Sequence, residues 1–247
     1  MGKIVLITGA TKGIGRACAK KFALNGFNVV INYLNSKDEA EKLSKEIEEK
    51  YNVKTFVVKA DISKEEEVIE MISNIEANFG PITVLVNNAA ISMDVPFEDK
   101  TVDNFRKILN TNLIGPFITS KYAGEKMLER GNGSIINVSS TNGIDTYYVE
   151  SLDYDASKAG LISLTHNLSL AYAPNIRVNC VCPGWVSTEF INDNIDEHYK
   201  KEEENKIFNK RFATPLEIAN VIYFLASDEA SYINNEIIRV DGGTIHE

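Results

Sequence analysis

A tyrosine and a lysine in the middle of the chain have types and spacing suited to proton transfer. Tyr154 and Lys158 are four residues apart at the start of a segment with helical periodicity. Positions i and i+4 lie on one face of a helix, so the two side chains can converge. A nearby ammonium stabilises phenolate and lowers the pKa of a tyrosine, which lets the phenol act as acid or base near neutral pH. The spacing therefore predicts a proton donor or acceptor, although the same pattern arises by chance in many helices.

Two serine hydroxyls follow a buried strand shortly before this tyrosine. The apolar run from Ser134 to Val138 ends at Ser139 and Ser140. Open α/β sheets bind their ligands at the carboxyl ends of the strands, so either hydroxyl is a candidate to contact a substrate.

The first strand, Lys3 to Ile7, runs directly into a glycine-rich turn. Gly9, Gly13 and Gly15 have the spacing G-x-x-x-G-x-G and open a helix. Glycines let the backbone approach a pyrophosphate closely, and the helix N-terminus offers free N–H groups and the positive end of the helix dipole. The turn predicts a dinucleotide-phosphate site, with a purely structural turn as the alternative.

The second strand, Asn28 to Tyr33, favours a cofactor with a 2′-phosphate. A free ribose 2′-OH is typically held by a carboxylate near the end of this strand, and Tyr33 stands at that position. Lys12 in the turn, together with Asn32 and Ser36, can bind a phosphate by charge and hydrogen bonds. These residues favour NADP(H) over NAD(H), and the alternative is that Lys12 is a solvated surface cation.

The elements that must position these groups alternate along the whole chain. Seven apolar, β-branched runs suit strands that are buried on both faces of a parallel sheet. Helical segments lie between them, and three of these segments carry the pattern of a capping box: Ser36 with Glu39, Ser63 with Glu66, and Thr214 with Glu217. Repeated strand–helix–strand units predict a doubly wound, Rossmann-type α/β fold with a parallel seven-stranded sheet and helices on both faces. The predicted strands are Lys3 to Ile7, Asn28 to Tyr33, Lys54 to Lys59, Thr83 to Val86, Ser134 to Val138, Arg177 to Cys182 and Glu236 to Val240.

We find no linker and no repeat, so the sequence predicts one domain over residues 1–247. The pattern breaks over residues 187–212, where charges crowd and aromatic residues are scattered. This segment is either a solvated helix face or a lid over the substrate site, and we assign it as the lid.

Composition and charge narrow the possible partners. Lys and Arg number 26 and Asp and Glu 35, so the net charge is -9 at pH 7. A surface of this sign repels phosphate backbones and anionic lipids, so we expect neither nucleic-acid nor membrane binding. The three cysteines lack metal or redox spacing, and three histidines form no ligand cluster. We expect a cytoplasmic protein without a metal site.

Taken together, these residues resemble the classical short-chain dehydrogenase/reductase family over essentially the whole chain. The resemblance also includes four motifs beyond those above: Asp61-Ile62, Asn87-Asn88-Ala89-Ala90, Asn112, and Pro183-Gly184 with Thr188. Asn87 can contact the cofactor or merely tie strands together. The nearest resemblance within the family is to 3-oxoacyl-acyl-carrier-protein reductases, because the carboxyl-terminal run from Arg211 to Gly243 is typical of that group.

The resemblance implies a catalytic tetrad of Asn112, Ser140, Tyr154 and Lys158. Tyr154 would donate the proton in reduction, while Ser140 would hydrogen-bond the substrate carbonyl. Lys158 would hold the nicotinamide ribose and lower the pKa of Tyr154, and Asn112 would help anchor a water that relays protons. Ser140 is chosen over Ser139 because its spacing to Tyr154 is nearer to that of the family.

The resemblance further implies a set of residues around NADP(H). Asp61 and Ile62 would lie by the adenine, and Thr188 would reach the carboxamide. The full expected set is Gly9, Thr11, Lys12, Gly13, Ile14, Gly15, Asn32, Tyr33, Ser36, Asp61, Ile62, Asn88, Ala89, Ala90, Tyr154, Lys158, Pro183, Gly184, Val186 and Thr188.

The expected reaction is the NADPH-dependent reduction of a carbonyl, with a 3-oxoacyl thioester as substrate. Two departures weaken the case for acyl-carrier protein as a partner: an extra residue between Ser140 and Tyr154, and Arg130 and Arg177 lying out of register with the arginines usual in that group. The alternatives are an NAD(P)-dependent dehydrogenase of a sugar, steroid or other small secondary alcohol, and a non-catalytic NADP(H)-binding sensor. The resemblance also implies a homotetramer, built on residues 102–130, 154–173 and 233–240.

Overall fold

The computed structural model describes residues 2–189, 191 and 195–244, and its centre is one parallel sheet. The seven strands have the order β3-β2-β1-β4-β5-β6-β7, and every neighbouring pair is parallel. This confirms the predicted doubly wound fold. The strands are β1 (Ile4–Ile7), β2 (Asn28–Tyr33), β3 (Thr55–Lys59), β4 (Ile82–Asn87), β5 (Gly133–Val138), β6 (Ile176–Pro183) and β7 (Ile237–Val240).

Helices cover both faces of the sheet because successive strand side chains point to opposite sides. Val5 and Ile7 pack towards α1, α2 and α8, whereas Ile4 and Leu6 pack towards α3, α5 and α6. This two-sided burial explains the nearly continuous apolarity of the strands. The helices are α1 (Gly13–Leu24), α2 (Lys37–Tyr51), α3 (Glu65–Asn78), α4 (Val102–Leu109), α5 (Gly115–Arg130), α6 (Leu152–Tyr172), α7 (Glu197–Lys206) and α8 (Pro215–Ala226).

Only one of the three predicted capping boxes forms. Thr214 and the carboxylate of Glu217 exchange both hydrogen bonds at the start of α8, as predicted. The box at Ser36 was wrong, because Ser36 has φ -104° and ψ 61°, outside the extended region that an N-cap needs. The box at Ser63 was also wrong. Its hydroxyl donates instead to Asp61 Oδ1 at 2.7 Å, a local bond that competes with helix capping.

The sheet order reverses direction between β1 and β4, which puts the glycine turn and the residues after β4 on either side of one crevice. Between α4 and α5 the helix widens into a π-turn at Asn110–Ile114, and Asn112 lies at its centre. Among the described helices, none has the length and apolarity needed to cross a lipid bilayer.

Candidate active site

The glycine turn, residues 8–15, has a backbone that other residues would not tolerate. Gly9 and Gly13 have φ of +61° and +49°, in the region that favours glycine. A Cβ on Gly15 would lie 2.3 Å from the carbonyl oxygen of Gly9. The turn thus needs its glycines both for backbone conformation and for the close packing of α1 against β1.

The N-terminus of α1 attracts an anion in this structure. The N–H of Gly13 donates to a carboxylate oxygen of Glu189 at 3.4 Å, and Arg16 lies 3.5 Å from the same carboxylate. Free N–H groups and the helix dipole favour a negative charge there. The chemistry of this turn therefore fits the pyrophosphate of a dinucleotide.

A cleft of about 800 Å³ extends from this turn along the carboxyl edge of the sheet. Eleven of the expected cofactor residues line it: Gly9, Lys12, Gly13, Asn32, Ser36, Asp61, Ile62, Asn88, Ala89, Ala90 and Thr188. The remaining nine expected residues are outside its lining: Thr11, Ile14, Gly15, Tyr33, Tyr154, Lys158, Pro183, Gly184 and Val186. The cleft thus corresponds to the adenosine and pyrophosphate half of the expected site.

Tyr33, expected beside the cofactor, packs in the hydrophobic core and does not line the cleft. Side chains alternate along β2, so Tyr33 shares the face of Val29 and Ile31 and joins the hydrophobic core. The next two residues, Leu34 and Asn35, line the cleft instead. Their position directly after β2 is the signal that sequence analysis missed.

Cations from a second element also line the cleft. Arg106 and Lys107 reach it from α4, and nothing local in the sequence linked that helix to the glycine turn. Together with Lys12 they face the carboxylates of Asp61, Asp103 and Glu189, so both signs of charge are present around the cleft.

Amide side chains hold the turn in place. Asn88 donates from Nδ2 to the carbonyl oxygens of Thr8 and Gly9 at 2.9 and 3.1 Å. Asn32 accepts from the N–H of Gly9 at 3.3 Å and donates to the carbonyl of Ala60 at 3.1 Å. Both side chains therefore position the backbone around the cofactor cleft as well as facing it.

The side chain of Asn87 connects neighbouring strands, which is one of the two roles considered for it above. Its Nδ2 donates to Asn137 Oδ1 at 2.8 Å on the neighbouring strand β5 and to Ser120 Oγ at 2.9 Å, while Thr119 donates to its Oδ1 at 2.6 Å. The residue is 2% exposed. It links β4, β5 and α5 and does not line the cleft.

The two serines after β5 have different surroundings. Ser139 donates to the carbonyl oxygen of Lys158 at 2.8 Å and is buried, so it connects the strand to α6. Ser140 hydrogen-bonds Asn142 within the following turn, and its hydroxyl acts to lower the pKa of Tyr154. Of the two hydroxyls, only that of Ser140 affects the pKa of this phenol.

Burial dominates the acid–base properties of the tyrosine–lysine pair. It raises the pKa of Tyr154 to about 12, and the Ser140 hydroxyl opposes that shift. Burial also lowers the pKa of Lys158 to about 8, because the ammonium is removed from water. Lys158 Nζ lies 5.4 Å from the centre of the Tyr154 ring and donates to the carbonyl of Val138 at 2.8 Å. The two side chains converge as expected, but in this structure the pKa of Tyr154 is raised, not lowered.

Asn112 anchors the segment that follows β4. Its side chain donates to the carbonyl of Ile91 at 2.8 Å and accepts from the N–H of Ile91 at 2.9 Å. Nδ2 also donates to Ser157 Oγ on α6 at 3.1 Å. Asn112 thereby joins the β4 segment to the helix that carries Tyr154 and Lys158.

A buried ion pair, absent from the sequence-based expectations, supports the same helix. Lys100 Nζ lies 2.9 Å from Asp153 Oδ1, and the two side chains are 5% and 0% exposed. Lys100 also donates to the carbonyl of Met93 at 2.8 Å, and Asp153 Oδ1 accepts the N–H of Tyr154 at 3.0 Å. No local pattern could reveal this pair, because its members are 53 positions apart.

The loop between Ser140 and Tyr154 contacts the proposed lid through aromatic rings. Tyr148 and Trp185 have ring centres 6.5 Å apart, and Trp185 and Tyr199 of α7 are 6.2 Å apart. Trp185 also stacks on Phe212 at 5.2 Å. Residues 190 and 192–194 of the predicted 187–212 lid, and His246, lie outside the described residues. Within the described chain, no group of three or more His, Cys, Asp or Glu side chains could hold a metal ion.

Comparisons with known proteins agree with this architecture. A family model described as enoyl-(acyl carrier protein) reductase matches residues 9–245. The 3-oxoacyl-[acyl-carrier-protein] reductase FabG of Staphylococcus epidermidis is 38% identical over 244 residues, which are 98% of this chain and 99% of that protein. The FabG of Aquifex aeolicus is 38% identical over 243 residues, 98% of this chain and 97% of that protein. The crystal structure of acetoin dehydrogenase YohF from Salmonella typhimurium has a TM-score of 0.89 and 29% identity, and the match covers 99% of this chain and 96% of that one.

Proposed function

We propose that this chain, which belongs to the short-chain dehydrogenase/reductase family, is an NADPH-dependent reductase of 3-oxoacyl thioesters. Family membership makes it an oxidoreductase with a nicotinamide cofactor. The observation that carries the proposal is the half-buried side chain of Tyr154, with the Lys158 ammonium 5.4 Å from its ring centre and the Ser140 hydroxyl acting to lower its pKa. A protein that only binds a cofactor has no need for a phenol held in this way.

The side chains have separate parts in the proposed reaction. When bound, the cofactor supplies the hydride that reduces the carbonyl carbon. The carbonyl oxygen then gains negative charge, which Ser140 stabilises by donating a hydrogen bond. Tyr154 gives its proton to that oxygen, and a pKa of about 12 keeps the phenol protonated and ready at neutral pH.

Lys158 and Asn112 complete the proposed tetrad. The Lys158 ammonium, beside the ring of Tyr154, stabilises the phenolate left after proton transfer and holds the nicotinamide ribose. Asn112, whose side chain hydrogen-bonds Ile91 and Ser157, would help anchor a water that relays protons to Lys158.

We assign NADP(H) as the cofactor on the residues at the end of β2. Leu34, Asn35 and Ser36 line the cleft there, and none of them is a carboxylate that would repel a 2′-phosphate. Lys12 is a cation that lines the same cleft. Fluorescence titration should give a lower Kd for NADPH than for NADH, and equal values would contradict this assignment.

The named relatives support a thioester substrate, whereas two arginines speak against docking of acyl-carrier protein. Arg130 forms a double hydrogen bond with Glu76 and donates to the carbonyl of Ile82. Arg177 donates to backbone carbonyls at the end of α8 and beyond it. Both guanidinium groups therefore have partners within the chain, and we propose a small acyl thioester as substrate. The likeness to acetoin dehydrogenase supports a second candidate, the oxidation or reduction of a small hydroxyketone.

We also propose a homotetramer. Leu113, Ile114, Phe117, Gly160 and Leu164 line a shallow apolar hollow between α5 and α6, and Ile114 and Phe117 are more than 40% exposed. Burial of such a patch against a second copy would remove apolar surface from water. Analytical ultracentrifugation at micromolar concentration should give the tetramer mass, and a monomer would contradict the proposal.

The reaction is tested by following NADPH oxidation with acetoacetyl thioesters beside small ketones, sugars and steroids. Tyr154→Phe should lower kcat by about 10²–10⁴-fold because only the proton donor is removed, while the Kd for NADPH stays unchanged. Unaltered kcat in this variant would refute the role of Tyr154. Wild-type protein that binds NADPH yet reduces nothing in the panel would support the sensor.

A further inference from the structure

The loop between Ser140 and Tyr154 is hydrogen-bonded to α6 at Tyr148, a residue with a large aromatic side chain. The main-chain N–H of Tyr148 donates to Asp155 Oδ2 at 3.0 Å, and Asn142 donates to Oδ1 of the same carboxylate at 2.7 Å. Asp155 is 9% exposed and directly follows Tyr154. The position of Tyr148 is therefore fixed relative to the catalytic phenol.

The ring of Tyr148 contacts the ring of Trp185, which in turn contacts the ring of Tyr199. Trp185 comes two residues after β6, the strand that pairs with β5, and Tyr199 comes from α7. Trp185 is held in turn by a hydrogen bond from Nε1 to Glu203 Oε2 at 3.0 Å, and Glu203 is 6% exposed. We call Tyr148, Trp185 and Tyr199 the aromatic wall.

The aromatic wall is separate from the cofactor cleft. The residues that line the cleft include Ile91 and Thr188 but none of the three rings. Burial, followed by the neighbouring phenol of Tyr199 and the carboxylate of Glu203, raises the pKa of Tyr148, which agrees with a ring withdrawn from water. Tyr148 lies in the loop between Ser140 and Tyr154, and Tyr199 lies in α7 of the lid, so the aromatic wall joins this loop to the lid.

From this arrangement we infer that the aromatic wall limits the length of the acyl chain, so that the enzyme selects short 3-oxoacyl groups. The inference rests on the proposed function. A chain that extends beyond the reacting carbonyl must run between the loop and the lid, where ring contacts between Tyr148, Trp185 and Tyr199 already occupy the space. Packed rings can move aside only by losing contacts. Each methylene added to the acyl chain should therefore lower kcat/KM and not raise it.

The test compares wild type, Tyr148→Ala and the matched control Tyr147→Ala on 3-oxoacyl N-acetylcysteamine thioesters from acetoacetyl to 3-oxodecanoyl. Tyr147 is the adjacent tyrosine of the same loop and is 77% exposed. An open apolar site would raise kcat/KM by up to about fourfold per methylene. Wild type and Tyr147→Ala should instead lose roughly tenfold or more along the series. Tyr148→Ala should recover most of that loss on the long substrates while acetoacetyl turnover stays within about twofold.

A second variant and a second readout keep the inference testable. Tyr199→Ala removes the ring that the lid contributes to the aromatic wall. It should likewise recover most of the kcat/KM that wild type loses on the long substrates. Trp185 is the only tryptophan in the chain, so its fluorescence reports on the wall directly. Acrylamide should quench Trp185 more strongly in Tyr148→Ala than in Tyr147→Ala.

The outcomes separate this inference from the proposed function. Two results would contradict the proposed role of the aromatic wall. One is a wild-type kcat/KM that stays constant or rises with acyl-chain length, and the other is a length dependence in Tyr148→Ala identical to that of wild type. If wild type reduces no thioester, the proposed substrate class fails, and the same length series in methyl ketones from 2-butanone to 2-decanone then tests the wall. If it reduces neither series, equal acrylamide quenching in the two variants would overturn it.

Discussion

The ion pair between Lys100 and Asp153 offers the sharpest test of how α6, the helix that carries Tyr154 and Lys158, is held in place. Both side chains are almost fully buried, and the charged atoms are 2.9 Å apart. Replacement of Lys100 by Met leaves the Asp153 carboxylate in the interior without its cation. Among the described residues Asp153 Oδ2 has no hydrogen-bond partner of its own, so without Lys100 the carboxylate keeps only the N–H of Tyr154, which bonds Oδ1.

The magnitude follows from the cost of an uncompensated buried charge. Removal of one member of a buried pair destabilises proteins by about 3–5 kcal/mol. At about 2–4 °C per kcal/mol for a chain of this size, Lys100→Met should lower Tm by roughly 6–20 °C. Calorimetry and urea denaturation at fixed protein concentration measure both quantities.

Two control variants separate this effect from general damage. Lys100→Met combined with Asp153→Asn removes both charges and keeps an oxygen to accept the N–H of Tyr154, so most of the lost stability should return. Lys126→Met breaks an exposed pair with Glu129 and should leave Tm unchanged. A Tm for Lys100→Met within 2 °C of wild type, or a double variant no more stable than the single one, would refute the reasoning.

Three further predictions follow from the site. Gly15→Ala should abolish NADPH binding, measured by fluorescence titration, because the new Cβ would lie 2.3 Å from the carbonyl oxygen of Gly9; binding at the wild-type Kd would contradict the close packing of the turn. Lys158 has a pKa lowered to about 8, so the ammonium is present below that pH and lost above it. The kcat/KM for reduction should therefore fall as the pH rises through about 8, and a profile that stays flat there would argue against the ammonium as the required form. Asn87→Ala should cost roughly 1–3 kcal/mol of unfolding free energy by urea denaturation, since buried partners on β5 and α5 lose their hydrogen bonds; an unchanged urea midpoint would show that the strand tie is dispensable.

Much of the fold could be predicted because its signals are local. The apolar strands, the glycine turn and the box at Thr214 each depend on residues within a few positions of one another, where backbone conformation and side-chain period control the outcome. The predicted strand ends agree with the structure to within one residue, as at β2 and β5. The pairing of Tyr154 with Lys158 is equally local, because it needs only a helix.

Local sequence patterns gave wrong predictions where a nearby group competed for a hydrogen bond or where the direction of a side chain decided its surroundings. The Ser63 hydroxyl donates to Asp61, two positions away, and does not cap a helix. The Tyr33 side chain lies in the core because side chains alternate between the two faces of β2. Both serines after β5 were candidates and the spacing to Tyr154 favoured Ser140; the structure adds that Ser139 donates to the carbonyl of Lys158 on α6.

The fold class and the family could be predicted from the sequence alone, since these depend on short spacings and on motif order. The surroundings of the proposed tetrad come only from the tertiary structure. The pair of Lys100 with Asp153 and the meeting of Tyr148 with Trp185 and Tyr199 join segments that are far apart in the chain. Such contacts depend on sheet register, helix packing and loop path together, and burial, which also raises the pKa of Tyr154 and lowers that of Lys158, exists only once the whole chain has folded.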